Sequence, residues 1–134
     1  MSLDAMDQQP LILIVDDEES FREIFGMKLA ADGYRVQTAD NGETGLKKAK
    51  EIKPDLILMD VRMPVMDGPT AVLQLREDPE IKDIKVAFLT SLGDPRTEMQ
   101  ELNGKIAKDF GVQGYLRKTD DLDLLHDRVK AFLQ

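Results

Sequence analysis

The sequence predicts one α/β domain of the (βα)5 type, an open parallel sheet with helices on both faces. Three observations predict it. Residues 11–15 (LILIV), 55–59 (DLILM) and 86–89 (VAFL) are short, nearly uninterrupted aliphatic runs, as expected of strands buried on both sides. Amphipathic stretches with helical spacing separate them, and that alternation implies right-handed crossovers. The chain has 134 residues, 42% of them apolar, enough for one domain with a real core.

Each element has its own signals. The first strand is residues 11–15. The first helix spans 19–32, with Phe21, Ile24, Phe25 and Leu29 on its apolar face, and Gly33 stops it. Residues 35–39 (RVQTA) alternate in polarity and read as an edge strand. Leu46, Ala49 and Ile52 mark a second helix over 43–52, ended by Pro54. The third strand, 55–59, leads to a third helix opened by Asp67-Gly68-Pro69. There Asp67 is the cap, and Val72, Leu73 and Leu75 form the buried face. After the fourth strand, Asp94-Pro95 opens a fourth helix carrying Met99, Leu102, Ile106 and Phe110. The short run 114–117 (GYLR) is the fifth strand. Leu122, Leu125, Val129, Phe132 and Leu133 give the fifth helix its stripe, with Thr119 as its expected cap. Residues 1–9 are read as an N-terminal extension, a cloning scar or a disordered tail, and residues 10–134 as the domain.

Composition excludes several classes. The 26 acidic and 18 basic residues leave a formal charge of −8, unsuited to direct nucleic-acid binding. With no Cys and one His, His126, disulfides, thiolate zinc sites and His-rich metal clusters are ruled out. His126 is assigned no role. No secretory signal is visible and no apolar run could span a bilayer, so a cytoplasmic location is expected, with no membrane partner.

The polar residues that matter stand at strand ends, where open α/β sheets place their working groups. Asp16 and Asp17 follow the first strand, Asp60 the third, Thr90 and Ser91 end the fourth, and Lys118 follows the fifth. Glu18 and Glu19 read as first-turn acids of a helix, and Asp40 as loop chemistry. If the first and third strands are neighbours, three carboxylates converge and raise one another's pKa unless a cation joins them. Oxygen-only ligands favour Mg2+ or Mn2+. A lysine and a hydroxyl facing the same crevice suit a phosphoryl group.

These residues resemble the receiver domain of two-component response regulators, over nearly the whole chain. The likeness rests on Asp16-Asp17-Glu18, on residues 60–68 (DVRMPVMDG), on Leu89-Thr90-Ser91 and on residues 114–118 (GYLRK). It implies a flavodoxin-like sheet in the order 2-1-3-4-5. It implies that Asp60 accepts a phosphoryl group from a histidine kinase or phosphotransfer protein, and that Thr90 and Lys118 contact the phosphoryl oxygens. Asp17, Asp60 and the backbone carbonyl of Arg62 would bind Mg2+, or Mn2+ in its place, with Asp16 acting through a metal-bound water. Tyr115 would move with Thr90 as a switch. The face of fourth helix, fifth strand and fifth helix would then control a downstream protein target or an output domain, and the family also forms homodimers. Such a domain is no enzyme beyond its own phosphorylation and dephosphorylation. No output domain fits within 134 residues, so the domain either stands alone or belongs to a longer chain.

The sequence departs from the family in three places. Thr119 stands where a proline usually follows the lysine. The 27 residues between Thr90 and Lys118 exceed what a compact receiver needs, and a tolerated surface insertion accounts for them as well as an unusual partner does. Arg62 and Leu92, two positions past Asp60 and Thr90, either screen the site or face solvent.

Alternatives are an aspartyl-nucleophile Mg2+ phosphatase or a receiver-like interaction module that is never phosphorylated. A haloacid-dehalogenase-like phosphatase needs a second Asp at the position of Arg62, and a topoisomerase–primase metal site needs an Asp-x-Asp pair there. An FMN module would have its phosphate repelled by Asp16-Asp17-Glu18-Glu19.

Overall fold

The computed structural model describes residues 9–90 and 111–134. Five parallel strands, β1 (Leu11–Val15), β2 (Arg35–Ala39), β3 (Leu56–Asp60), β4 (Lys85–Thr90) and β5 (Gly114–Arg117), form one sheet in the order β2-β1-β3-β4-β5. The described helices are α1 (Glu19–Ala31), α2 (Gly42–Ile52), α3 (Gly68–Glu77) and α4 (Leu122–Leu133). The helix expected from Asp94 to Phe110, together with Ser91 and Leu92, lies outside the described residues.

The aliphatic runs behave as strands buried on two faces. Leu13, Val15, Ile57, Met59, Val86 and Phe88 point to one side, against Ala49 of α2 and Ala71, Val72 and Leu75 of α3. Their sequence neighbours Ile12, Ile14, Leu56, Leu58, Ala87 and Leu89 point to the other, against Phe25 and Leu29 of α1 and Leu125 and Val129 of α4. Successive side chains of a strand alternate faces, so an uninterrupted run fills both cores. The more polar β2 lies at one edge, as its alternation predicts.

The helix boundaries follow local chemistry. Asn41 and Thr44 form a reciprocal capping box at the start of α2. Asp67 caps α3 by accepting from the Thr70 N–H at 2.8 Å, with Pro69 in the first turn. Gly33, at φ 101°, takes the left-handed conformation just past α1. Asp121, not Thr119, caps α4, because its carboxylate accepts the Asp123 N–H at 2.7 Å.

Two expected core residues face solvent: Ile24 is 55% exposed and Leu73 48%. In α1 the sheet is met by Phe25 and Leu29, four residues apart. In α3 it is met by Ala71, Val72 and Leu75, which rotates Leu73 away. The third strand is shifted by one residue, so that Asp60 is the last residue of β3, and the fourth is longer by one residue at each end, so that Thr90 is the last of β4.

Candidate functional site

The carboxyl ends of β1, β3, β4 and β5 form one rim. The Asp16 N–H donates to the Ala39 carbonyl at 3.1 Å, which continues the ladder one residue past β1 and leaves Asp16 fully buried. One Asp16 carboxylate oxygen accepts the Glu18 N–H at 2.8 Å, turning the chain into α1. The other lies 2.7 Å from the Lys118 ammonium. Arg22 holds the Asp16 carbonyl at 2.7 Å from the first turns of α1.

Asp60 is fixed by its backbone. It pairs with Leu89, the Val61 N–H donates to the Leu89 carbonyl at 3.1 Å, and the Gly68 N–H donates to the Val61 carbonyl at 2.9 Å. The loop between β3 and α3 therefore folds back over the strand end. Within it, Val65 adopts φ 71° and Met66 donates to the Pro64 carbonyl at 2.7 Å, a tight three-residue turn that is strained for a β-branched residue. The Met66 carbonyl in turn accepts the Gly42 N–H at 3.2 Å, which ties the loop to the start of α2.

Carboxylate oxygens of Asp16, Asp17 and Asp60 lie within 4.8 Å of one another. Asp16 and Asp60 are buried, whereas Asp17 faces solvent. Burial first, and then the Asp16 charge, push the Asp60 carboxyl up to about 7, against the opposing pull of Lys118. Burial also raises Asp16, again opposed by Lys118. Burial tends to lower the Lys118 ammonium, but its bonds to Asp16 and Glu18 outweigh that and raise it.

Lys118 reaches into this cluster from the end of β5, and its N–H donates to the Thr90 carbonyl at 2.8 Å. Its ammonium sits 3.6 Å from Asp60. No cis peptide bond occurs among the described residues, so the Lys118–Thr119 bond is trans, and the lysine meets the acids all the same. Thr90 is buried, and among the described residues its hydroxyl has no hydrogen-bond partner. A buried polar group left in that state is costly without a ligand to bond. Three clustered oxygen donors, two with raised pKa, fit a hard divalent cation.

Of the remaining expected residues, Tyr115 is half-buried, packed against the core shared with α2 and α3, and Arg128 lies 5.9 Å from its ring. The Arg62 side chain is exposed. His126 lies outside the rim, 3.6 Å from Asp32, with its ring tilted against that of Tyr34 at 5.9 Å between centres. Asp40 stays a loop residue, bonded to Asn41 and Thr44. Glu18 departs from the expected role: it occupies the cap position of α1 without a capping bond, and its carboxylate pairs with Lys118 instead. Phe21, expected only in the core, also lies beneath that ammonium, 4.9 Å from ring centre to nitrogen. The adjacency of Glu18 to the acidic pair was the available signal, but a pairing across 100 residues leaves no trace in local spacing.

The sequence pattern of the response regulator receiver domain matches residues 12–130. The chain belongs to that family. This receiver is 36% identical to the DNA-binding dual master transcriptional regulator RpaA of Synechocystis over 93% of this chain and 49% of that protein. It is 38% identical to the response regulator PleD of Caulobacter vibrioides over 90% of this chain and 25% of that protein. It thus spans half or less of these curated relatives. Among solved structures, it matches the chemotaxis response regulator CheY4 of Vibrio cholerae with a TM-score of 0.80 at 31% identity, covering 93% of this chain and 99% of that one. It also matches the receiver domain of the sensor histidine kinase PA1611 from Pseudomonas aeruginosa, solved with a magnesium ion in its active-site cleft. That match has a TM-score of 0.79 at 25% identity over 93% and 98% of the two chains. No helix among the described residues is long and apolar enough to cross a membrane.

Proposed function

We propose that this receiver accepts a phosphoryl group on Asp60 from a histidine kinase or phosphotransfer protein. The observation that carries the reading is the convergence of three carboxylates and one ammonium on a single rim. A carboxylate oxygen of Asp60 attacks phosphorus while the phosphorus–nitrogen bond to the donor imidazole breaks. The electron pair stays on the imidazole nitrogen, which takes up a proton. Asp17, Asp60 and the Arg62 backbone carbonyl would hold Mg2+, or Mn2+ in its place, with Asp16 joined through a water. The ion supplies the positive charge that offsets repulsion between carboxylate and phosphoryl group.

The chain's own residues do the rest. The backbone bonds at Val61 and Gly68 hold Asp60 in place. Lys118 neutralises a phosphoryl oxygen, and the Thr90 hydroxyl, which has no partner among the described residues, donates to another. Drawing Thr90 toward the phosphoryl group would bias Tyr115 and the surface around β5 and α4, through which a downstream protein or output domain responds. The receiver works in the cytoplasm as the domain formed by residues 10–134, makes no direct nucleic-acid contact, and catalyses only its own phosphorylation and dephosphorylation.

Incubation with radiolabelled acetyl phosphate and Mg2+ tests this. One labile phosphoryl group per chain is expected, lost in Asp60→Asn. Undiminished labelling of Asp60→Asn overturns the assignment.

A further inference from the structure

Among the described residues the Lys118 ammonium has four charged or aromatic neighbours, and two of them were not expected from the strand-end pattern. Asp16 lies at 2.7 Å, Glu18 accepts a hydrogen bond, Asp60 stands off at 3.6 Å, and the Phe21 ring lies 4.9 Å away. An ammonium has three protons and no acceptor. Glu18 accepts one of them, while Asp16 at 2.7 Å pairs with the charge without a well-angled bond. Asp60 is beyond normal hydrogen-bond length, so a proton is left for whatever stands on the Asp60 side.

We propose that Glu18 is a positioning residue: with Asp16 and the Phe21 ring it orients Lys118 so that one ammonium proton stays directed at the group arriving on Asp60. The lysine needs such support. It sits at the end of the four-residue strand β5, its side chain has four flexible bonds, and a trans peptide bond follows it. Its side chain is 5% exposed, so a wrongly aimed ammonium would remain close to the acids without serving the reaction. Asp16 alone fixes one direction of a rotating ammonium. A second carboxylate, two residues on at the start of α1, fixes the rotation, and the Phe21 ring packs against the ammonium. Glu18 does this through Lys118 and touches neither phosphoryl group nor metal.

The inference rests on Asp60 phosphorylation for its consequence, but its geometry is open to a separate measurement. In unphosphorylated protein, the 15Nζ signal of Lys118 should show slowed proton exchange in the native chain. It should be lost in Glu18→Ala and retained in Glu18→Gln, which keeps an acceptor oxygen. In labelling by acetyl phosphate, Glu18→Ala should be slower than the native chain by about fivefold, and Glu18→Gln within about twofold. In a Lys118→Ala background, Glu18→Ala should have no further effect.

A Lys118 signal unchanged in Glu18→Ala overturns the proposal, whatever labelling does. So does faster labelling in both Glu18 variants, which would make Glu18 merely a repelling charge. A native chain that shows the protected signal but takes no label contradicts the Asp60 reading and leaves the orientation of Lys118 supported.

Discussion

Gly68 lies directly against the carbonyl of Asp60: a Cβ at position 68 would stand 2.3 Å from that oxygen and 3.1 Å from its carbon. Neither atom can swing aside, since both belong to the backbone at the end of β3. The glycine that opens α3 therefore sets how closely the helix approaches the candidate phosphoacceptor. Gly68→Ala should lower stability by about 2–3 kcal/mol and also cut labelling of Asp60, because relief of the clash must move one or the other. Gly26, inside α1, is the control. A Cβ there meets Val36 at an ordinary 3.7 Å, so Gly26→Ala should stabilise by about 0.5–1 kcal/mol through helix propensity. Urea unfolding of the two variants checks both signs.

The raised pKa of Asp60 makes an opposite prediction for charge removal. Its carboxyl titrates from 3.8 to about 7 on folding, so between those values the native state binds more protons than the unfolded one. The associated stability is fully present below 3.8 and is lost as pH rises through about 7. In chelator-treated protein, Asp60→Asn should come nearest the native chain below about pH 4 and gain on it steadily as pH rises toward 7. At pH 8 it should be more stable, by on the order of 2 kcal/mol. Equal stability of the two at pH 8 would mean that Asp60 ionises in the fold without penalty.

Much of this was legible in the sequence, for a physical reason. Strands buried on two faces must be apolar throughout, so 11–15 and 86–89 announced themselves, and a parallel sheet must bring its strand ends to one edge. Asp16, Asp17, Asp60, Thr90 and Lys118 then gather on a shared rim without any further information. What stayed hidden depends on rotation or on distance along the chain. Helical spacing proposes a stripe but does not fix its phase, and so Ile24 and Leu73 were placed inwards while they point to solvent. Glu18 reads as a first-turn acid until the fold brings Lys118 to it. Thr119 and Asp121 are both good caps, and only the backbone path chooses Asp121.

Divalent cation binding should relieve the cost of three clustered carboxylates. Mg2+ should raise the unfolding temperature with the logarithm of its excess over the dissociation constant. Its affinity should fall as pH drops through about 7, because Asp60 must shed its proton to bind. Asp17 is exposed, so Asp17→Asn should leave the metal-free protein as stable as the native chain while removing most of the Mg2+ response. Calorimetric titration of both proteins at pH 6 and pH 8 measures each effect. A response to Mg2+ that survives Asp17→Asn would move the ion elsewhere.

Arg76 makes a claim about the opposite end of the sheet. Its guanidinium donates at 2.7 Å to each of the Lys82 and Ile84 carbonyls and at 3.3 Å to Gly111. One side chain at the end of α3 thus clamps the turn before β4 to the segment that leads into β5. Burial lowers its pKa, yet a guanidinium stays charged at any ordinary pH. Arg76→Ala should cost about 1–2 kcal/mol, since three backbone carbonyls lose a shared charged donor. Arg76→Lys should recover less than half, because an ammonium cannot reproduce the planar fork. The part of the loss due to these three carbonyls should persist in high salt, as they carry no charge, whereas the attraction of nearby Asp83 should be screened. Lys50 provides the contrast. Its pairs with Asp78 and Glu80 are exposed and ionic, so Lys50→Ala should change stability little and only at low salt. Unfolding of both variants in low and high sodium chloride separates a backbone clamp from a surface ion pair.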